Sequence, residues 1–111
     1  TDTDGLRVLL IRQGTDLGRV SDDLTGAVPG GNFPVDSGLA KRDAEELKAQ
    51  IETSALCEPF KSRLVAAAVE LVTADTALVD SQGSAGAADL LATSQQKYQA
   101  INDLINNPPS A

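Results

Sequence analysis

Between Phe60 and Val79, apolar side chains occupy most of the circumference of a single helix. At about 100° per residue, Phe60, Leu64, Val65, Ala67, Ala68, Val69, Leu71, Val72, Ala74, Leu78 and Val79 sweep an arc of roughly 220°, and Asp75 falls inside it. A helix on the surface of a globular domain shows an apolar stripe of about 100°. An arc twice that width needs helical partners on several sides, so this segment predicts the centre of a small all-α bundle.

The flanking segments supply those partners. After a polar lead-in over residues 1–5, a first helix is expected from about Leu6 to Ala27, with Leu6, Leu10, Leu17, Val20 and Leu24 on one stripe and Gln13 interrupting it. Gly14 and Gly18 lie one turn apart inside it, each costing up to about 1 kcal/mol relative to alanine, which points to a packing benefit or to local flexibility. Pro29-Gly30-Gly31-Asn32-Phe33-Pro34 breaks the helix and marks the longest loop. A second helix is expected from about Leu39 to Leu56, capped by Asp36 or Ser37, with Ala40, Ala44, Leu47, Ile51 and Ala55 buried.

Pro59 suits the first turn of the third helix, with Cys57 or Glu58 at its cap. That helix should end near Ser81, before the turn residues Gly83, Ser84 and Gly86. A fourth helix, from about Ala87 to Asn106, carries Ala87, Leu90, Leu91, Ser94, Tyr98, Ile101 and Ile105 on one stripe. Pro108 and Pro109 stop it, leaving a Pro-rich tail over residues 107–111. Together these segments predict one domain over residues 1–111: an all-α, four-helix antiparallel bundle with a Pro/Gly-rich loop between helices 1 and 2. A topology with a long crossover through that loop ranks second.

Composition narrows the partners. Sixteen acidic against nine basic residues give a net charge of −7, which disfavours nucleic acid, since phosphate binding depends on clustered Lys and Arg. The same charge disfavours an anionic membrane surface. The longest apolar run, Leu64 to Val69, falls far short of the ~20 residues that span a bilayer. Aromatic residues are limited to Phe33, Phe60 and Tyr98, so the core is built from Leu, Val, Ile and Ala, and small residues such as Ala40, Ala44, Ala67, Ala68, Ala74 and Ala87 allow close helix approach.

The chemistry of the chain is limited by its residue types. It contains no histidine, which removes Ser-His-Asp and Cys-His catalysis and His-ligated zinc or haem within this chain. Asp2-Thr3-Asp4-Gly5 resembles the start of a calcium loop, but Gln13 stands where the bidentate glutamate is needed. Asp22-Asp23 and Glu45-Glu46 are adjacent on helices and point about 100° apart, as solvated faces do. Pro29-Gly30-Gly31 lacks the Lys and Ser or Thr of a phosphate loop. Cys57, the single cysteine, reads as a small packing residue, a thiol activated by a helix N-terminus, or a half of an intermolecular disulfide. No enzyme activity, metal or cofactor is expected.

Asp75 is the most informative polar residue. Buried among Leu71, Leu78, Leu64, Ala68 and Val79, its carboxyl requires an Arg, a Tyr hydroxyl or backbone donors, with Arg7, Arg12, Lys97 and Tyr98 as candidates, or else a proton of its own. It reads as part of a core hydrogen-bond network that fixes helix register, as a polar anchor for a ligand headgroup, or as a residue simply exposed at a helix end.

The layout resembles the fungal hydrophobic-surface-binding and cell-wall galactomannoprotein family, in Thr15-Asp16-Leu17 through Leu24, the Gly30-Gly31 loop, Leu47 to Ile51 and Ala100 to Ile105. Cys57-Glu58-Pro59-Phe60 and the short turn after helix 3 depart from that pattern. The resemblance implies a secreted, non-enzymatic helical domain, extracellular or in the cell envelope, that holds a fatty-acid-like ligand or an apolar surface between its helices. Under that implication Leu64, Val65, Val69, Val72, Tyr98 and Ile101 line the ligand space, Asp75 is its polar anchor and Phe33 is a mobile lid. A start at Thr1 rather than Met fits an upstream leader. The competing expectation is a protein-interaction or structural module, in which Val8, Ile11 and the second apolar strip of helix 3 are buried in a homo-oligomer or against a partner.

Overall fold

The computed structural model describes residues 3–26 and 31–108, which form four helices: α1 (Asp4–Thr25), α2 (Phe33–Thr53), α3 (Phe60–Asp80) and α4 (Ala87–Asn106). Each packs against its neighbours in the order α1, α2, α3, α4 and back to α1, while α1 and α3, like α2 and α4, lie across the diagonals. This is the antiparallel four-helix bundle read from the periodicity, 46 Å long and 21 Å across.

Local chemistry sets the helix ends. Gly26, at φ +70°, closes α1 in the left-handed conformation, its N–H reaching Asp22 O. The second helix begins six residues earlier than expected. Pro34 sits within its first turn, where a missing N–H has no intrahelical partner to lose, and Asn32 rather than Asp36 or Ser37 caps it by accepting from Val35 N at 3.4 Å. Phe33 and Pro34 therefore belong to the helix and not to the loop. The same helix stops at Thr53, so Ala55 and Leu56 lie beyond it and Ala55 is exposed. Pro59, rather than Cys57 or Glu58, takes the cap position of α3 and so lies just outside its first turn, while Glu58 accepts from Ser62 N at 2.8 Å and Cys57 stays exposed. The expected end of helix 1 at Ala27, the loop residues Pro29 and Gly30, and the tail from Pro109 lie outside the described residues.

The core is two apolar clusters separated by a polar layer. Leu6, Leu9, Leu10, Leu47, Ile51, Leu64, Leu71, Ile101 and Ile105 fill one half with several alanines. Leu17, Val20, Ala40, Leu78, Ala87 and Leu91 fill the other. Between them, Leu10 gives way to Gln13 on α1, Leu71 to Asp75 on α3, and Leu91 to Ser94 on α4, and Tyr98 packs against both clusters.

The paired glycines have different roles. A Cβ at Gly14 would lie 2.8 Å from the Tyr98 hydroxyl oxygen, whereas one at Gly18 would meet open space. Gly18→Ala is therefore expected to raise the unfolding free energy by up to about 1 kcal/mol, the helix-propensity gain. Gly14→Ala should lose most of that gain by displacing Tyr98. Urea denaturation of the two variants measures the difference directly.

Candidate functional site

The buried polar layer centres on Asp75, which is 0% exposed. Gln13 Nε2 donates to Asp75 Oδ2, joining the diagonal helices α1 and α3 through the core. Ser94 faces the same carboxyl from α4. Burial pushes Asp75 up to about 6, against the opposing effects of Ser94 and Gln13, which favour the charged form. The other oxygens of this group, Gln13 Oε1, Asp75 Oδ1 and Ser94 Oγ, have no well-formed hydrogen bond.

None of the four partners expected for Asp75 is the one found. Arg7 Nη1 donates instead to Asn106 Oδ1 at 2.6 Å, at the end of α4. Arg12 lies 3.4 Å from Glu46 and 4.0 Å from Asp43 across the α1–α2 seam. Lys97 pairs with Glu70 at 3.5 Å, and the Tyr98 hydroxyl rests against Gly14. Charge suggested those candidates, but position along the bundle decides: Gln13, Asp75 and Ser94 each interrupt an apolar stripe, and the antiparallel packing brings the three interruptions to one level.

The residues expected to line a ligand space are divided among several environments. Leu64 and Ile101 are wholly buried in the first cluster, where they fill the core. Val72 and Tyr98 are half-buried against it. Val65 borders a shallow surface hollow with Leu56, Lys61 and Ser62. Phe33 packs on the second cluster, at the other end of the bundle, and stands against Gly83 in the α3–α4 turn. It is part of a helix end, not a lid over Leu64 and Ile101.

Val69 differs from the rest. It is 43% exposed and stands on a groove between α3 and α4, with Glu70, Thr73, Ala74, Ala77, Leu90, Thr93 and Lys97. The groove encloses about 330 Å³, near the lower end of the range for small-molecule sites. Alanines and threonine methyls form its apolar floor, because small residues on both helices leave room above the contact. Lys97 and Glu70 are its charged groups. Thr73, Ala77, Thr93 and Lys97 were not among the expected ligand residues; the spacing of Thr73 and Ala77 at i+4 and i+8 from Val69 could have found the first two, while Thr93 and Lys97 on α4 carry no such signal. A larger hollow of about 510 Å³ lies between the start of α1 and the end of α2, where Val8, Leu9 and Ala55 alternate with Glu46, Gln50, Thr53 and Ser54, so it has no continuous apolar floor.

The paired acids also take on definite roles. Glu45 and Glu46 are exposed, whereas Asp23 is half-buried and faces Asp36 across the α1–α2 seam. Among the described residues, no group of three or more Cys, Asp or Glu is placed to hold a metal ion, and no helix is long and apolar enough to cross a membrane. No protein-family model, curated protein or solved structure matches the chain.

Proposed function

We propose that this chain is a non-enzymatic helical domain that binds a fatty-acid-like amphiphile along the α3–α4 groove. The observation that carries the reading is the pairing of an apolar floor, built from Val69, Ala74, Ala77 and Leu90, with an ammonium group at Lys97. An acyl chain gains about 25 cal/mol for each Å² of apolar surface it removes from water, and a carboxylate headgroup exchanges places with Glu70 at Lys97. The fungal hydrophobic-surface-binding resemblance points to the same ligand class, and the extracellular or cell-envelope setting belongs to the proposal on that ground alone.

Native mass spectrometry after incubation with palmitic acid tests it. The wild type is expected to carry one fatty acid. Val69→Asp, at an exposed position that leaves the core intact, is expected to weaken uptake at least about tenfold, because an acyl chain cannot solvate a carboxylate. A wild type that takes up no fatty acid, or a Val69→Asp variant that binds it equally well, sinks the reading.

A specific observation favours a second reading, the protein-interaction module. Val8 and Ile11 are 58% and 66% exposed on the outer face of α1. Sedimentation of wild type and a Val8→Ser, Ile11→Ser double variant distinguishes it, since an oligomer held by that face dissociates in the variant.

A further inference from the structure

The seam between α1 and α2 sets acid against acid at two levels. Asp16 and Asp43 meet near the middle of the bundle, 3% and 4% exposed. Asp23 and Asp36 meet near the loop end, both partly buried. Asp16 and Asp23 are seven residues apart on α1, as are Asp36 and Asp43 on α2, so antiparallel packing brings both pairs onto one line. Seven residues are about two helical turns.

Arginines reach the middle pair from the solvent side, at the edge of ion-pair range. Arg19 Nη1 lies 3.9 Å from Asp16 Oδ1 and Arg12 Nη1 lies 4.0 Å from Asp43 Oδ1, but both side chains are about half exposed and Arg12 is closer to Glu46. Around Asp23, Asp22 adds another negative charge, and the Asn32 backbone N–H opposes it as a donor. Asp16 Oδ2 and Asp23 Oδ2 are buried with no well-formed hydrogen bond. Two carboxyl groups in contact are both accommodated when they share one proton and repel when both ionise.

We infer that the α1–α2 seam is a proton-operated latch, held closed while each facing aspartate pair shares a proton and loosened when both pairs are fully ionised. The latch does not depend on the ligand reading. Its working range follows from the same contacts. Burial, the hydrogen bond with Asp43 and the charge of Asp43 push Asp16 up to about 7, against Arg19 and Arg12. Burial and Asp36 push Asp23 up to about 6. A carboxyl raised in the folded chain binds its proton more tightly there than when unfolded. Its stabilising effect is complete below the ordinary value of 3.8 and is lost as pH rises through about 6 to 7. Loss of the seam exposes Leu17, Val20 and Ala40, the α1 and α2 share of the second cluster.

The test uses the full chain. Carboxyl NMR of the wild type follows Asp16, Asp43, Asp23 and Asp36 from acid to alkaline pH, and amide exchange reports the opening of each helix. One proton of the Asp16–Asp43 pair is expected to titrate near neutrality. Protection of α1 and α2 amides, corrected for intrinsic exchange, is expected to fall about tenfold or more between pH 5 and pH 8. Asp43→Asn, whose amide donates to the remaining carboxylate, should abolish most of that fall and raise the urea midpoint at pH 8. Asp16→Asn should do the same. The buried Asp75 on α3 titrates in the same range in wild type and variants alike, so its effect cancels in the difference. A midpoint below pH 5 for Asp16, or equal pH dependence in wild type and variants, overturns the proposal. The wild-type titration decides even if a variant fails to fold.

Discussion

Truncation of Leu71 to alanine is expected to lower the unfolding free energy by about 2–5 kcal/mol. Leu71 is fully buried in the larger apolar cluster, with Leu47, Leu64 and Ile101 also fully buried there. Because helices close around it, the surrounding side chains collapse only partly into the vacated space, and the cost grows by about 24 cal/mol for each Å³ left empty. A small domain is stabilised by about 5–15 kcal/mol in all, so the variant should unfold at a much lower urea concentration. The result also bears on function. A bundle that holds a ligand in a central cavity tolerates loss of a lining side chain, and a change below about 1 kcal/mol would mean that the interior near Leu71 is loosely filled.

Gln13→Leu is expected to be the next most damaging substitution, by about 2–3 kcal/mol at pH 8, because it leaves the Asp75 carboxylate, which is 0% exposed, without its amide donor. The loss should be smaller at acidic pH. Burial already raises Asp75 to about 6, and removal of Gln13, which favours the charged form, raises it further. The neutral carboxyl is then the folded-state species at low pH, and its stabilising effect disappears as pH rises through the folded-state value. The double variant Gln13→Leu, Asp75→Leu replaces donor and acceptor together and should recover most of the loss, since the buried charge is gone and only the Ser94 hydroxyl of the polar layer is left. Urea denaturation at two pH values, read as a double-mutant cycle, gives the coupling. A double variant that is no more stable than Gln13→Leu alone would show that the Asp75–Gln13 bond is not what holds α1 and α3 together.

Much of the fold was legible because helical periodicity records which face is buried. The broad arc on Phe60–Val79 reads as the centre of the bundle, but α3 packs on two neighbours like every other helix, and only its Leu64, Leu71 and Leu78 side is wholly buried. The remaining part of the arc, from Val79 through Val72 and Val65 to Val69, is only partly covered, because two neighbours and one diagonal helix cannot enclose more. Burial of Asp75 was legible for the same reason. Its partner was not, since periodicity gives the rotation of each helix but not its height relative to the others. Gln13 and Ser94 were both visible as polar residues on apolar stripes, and only the assembled bundle sets them level with Asp75.

Pro34 reads as a breaker in the sequence, yet α2 begins one residue before it. Proline is compatible with the first helical turn, and Asn32 supplies the capping oxygen one residue before Phe33. The candidate groove was the least legible feature. Val69 is among the expected ligand residues, and Thr73 and Ala77 share its face of α3 at i+4 and i+8, but Thr93 and Lys97 join them only through the packing of α4 on α3. The facing acids of the α1–α2 seam were hidden in the same way, since Asp16 and Asp43 are distant in sequence and each alone resembles an ordinary surface carboxylate.

The account holds that the bundle interior is filled and that an amphiphile binds outside it, between α3 and α4. An isotope-labelled NMR titration with palmitate tests this most directly. The shifts are expected at Val69, Thr73, Ala77, Leu90, Thr93 and Lys97, while Leu64, Asp75 and Ile101 remain unmoved. Shifts centred on Leu64, Asp75 and Ile101 would mean that the helices part to admit the ligand, and no shift at saturating palmitate would remove the lipid reading; either result contradicts the account.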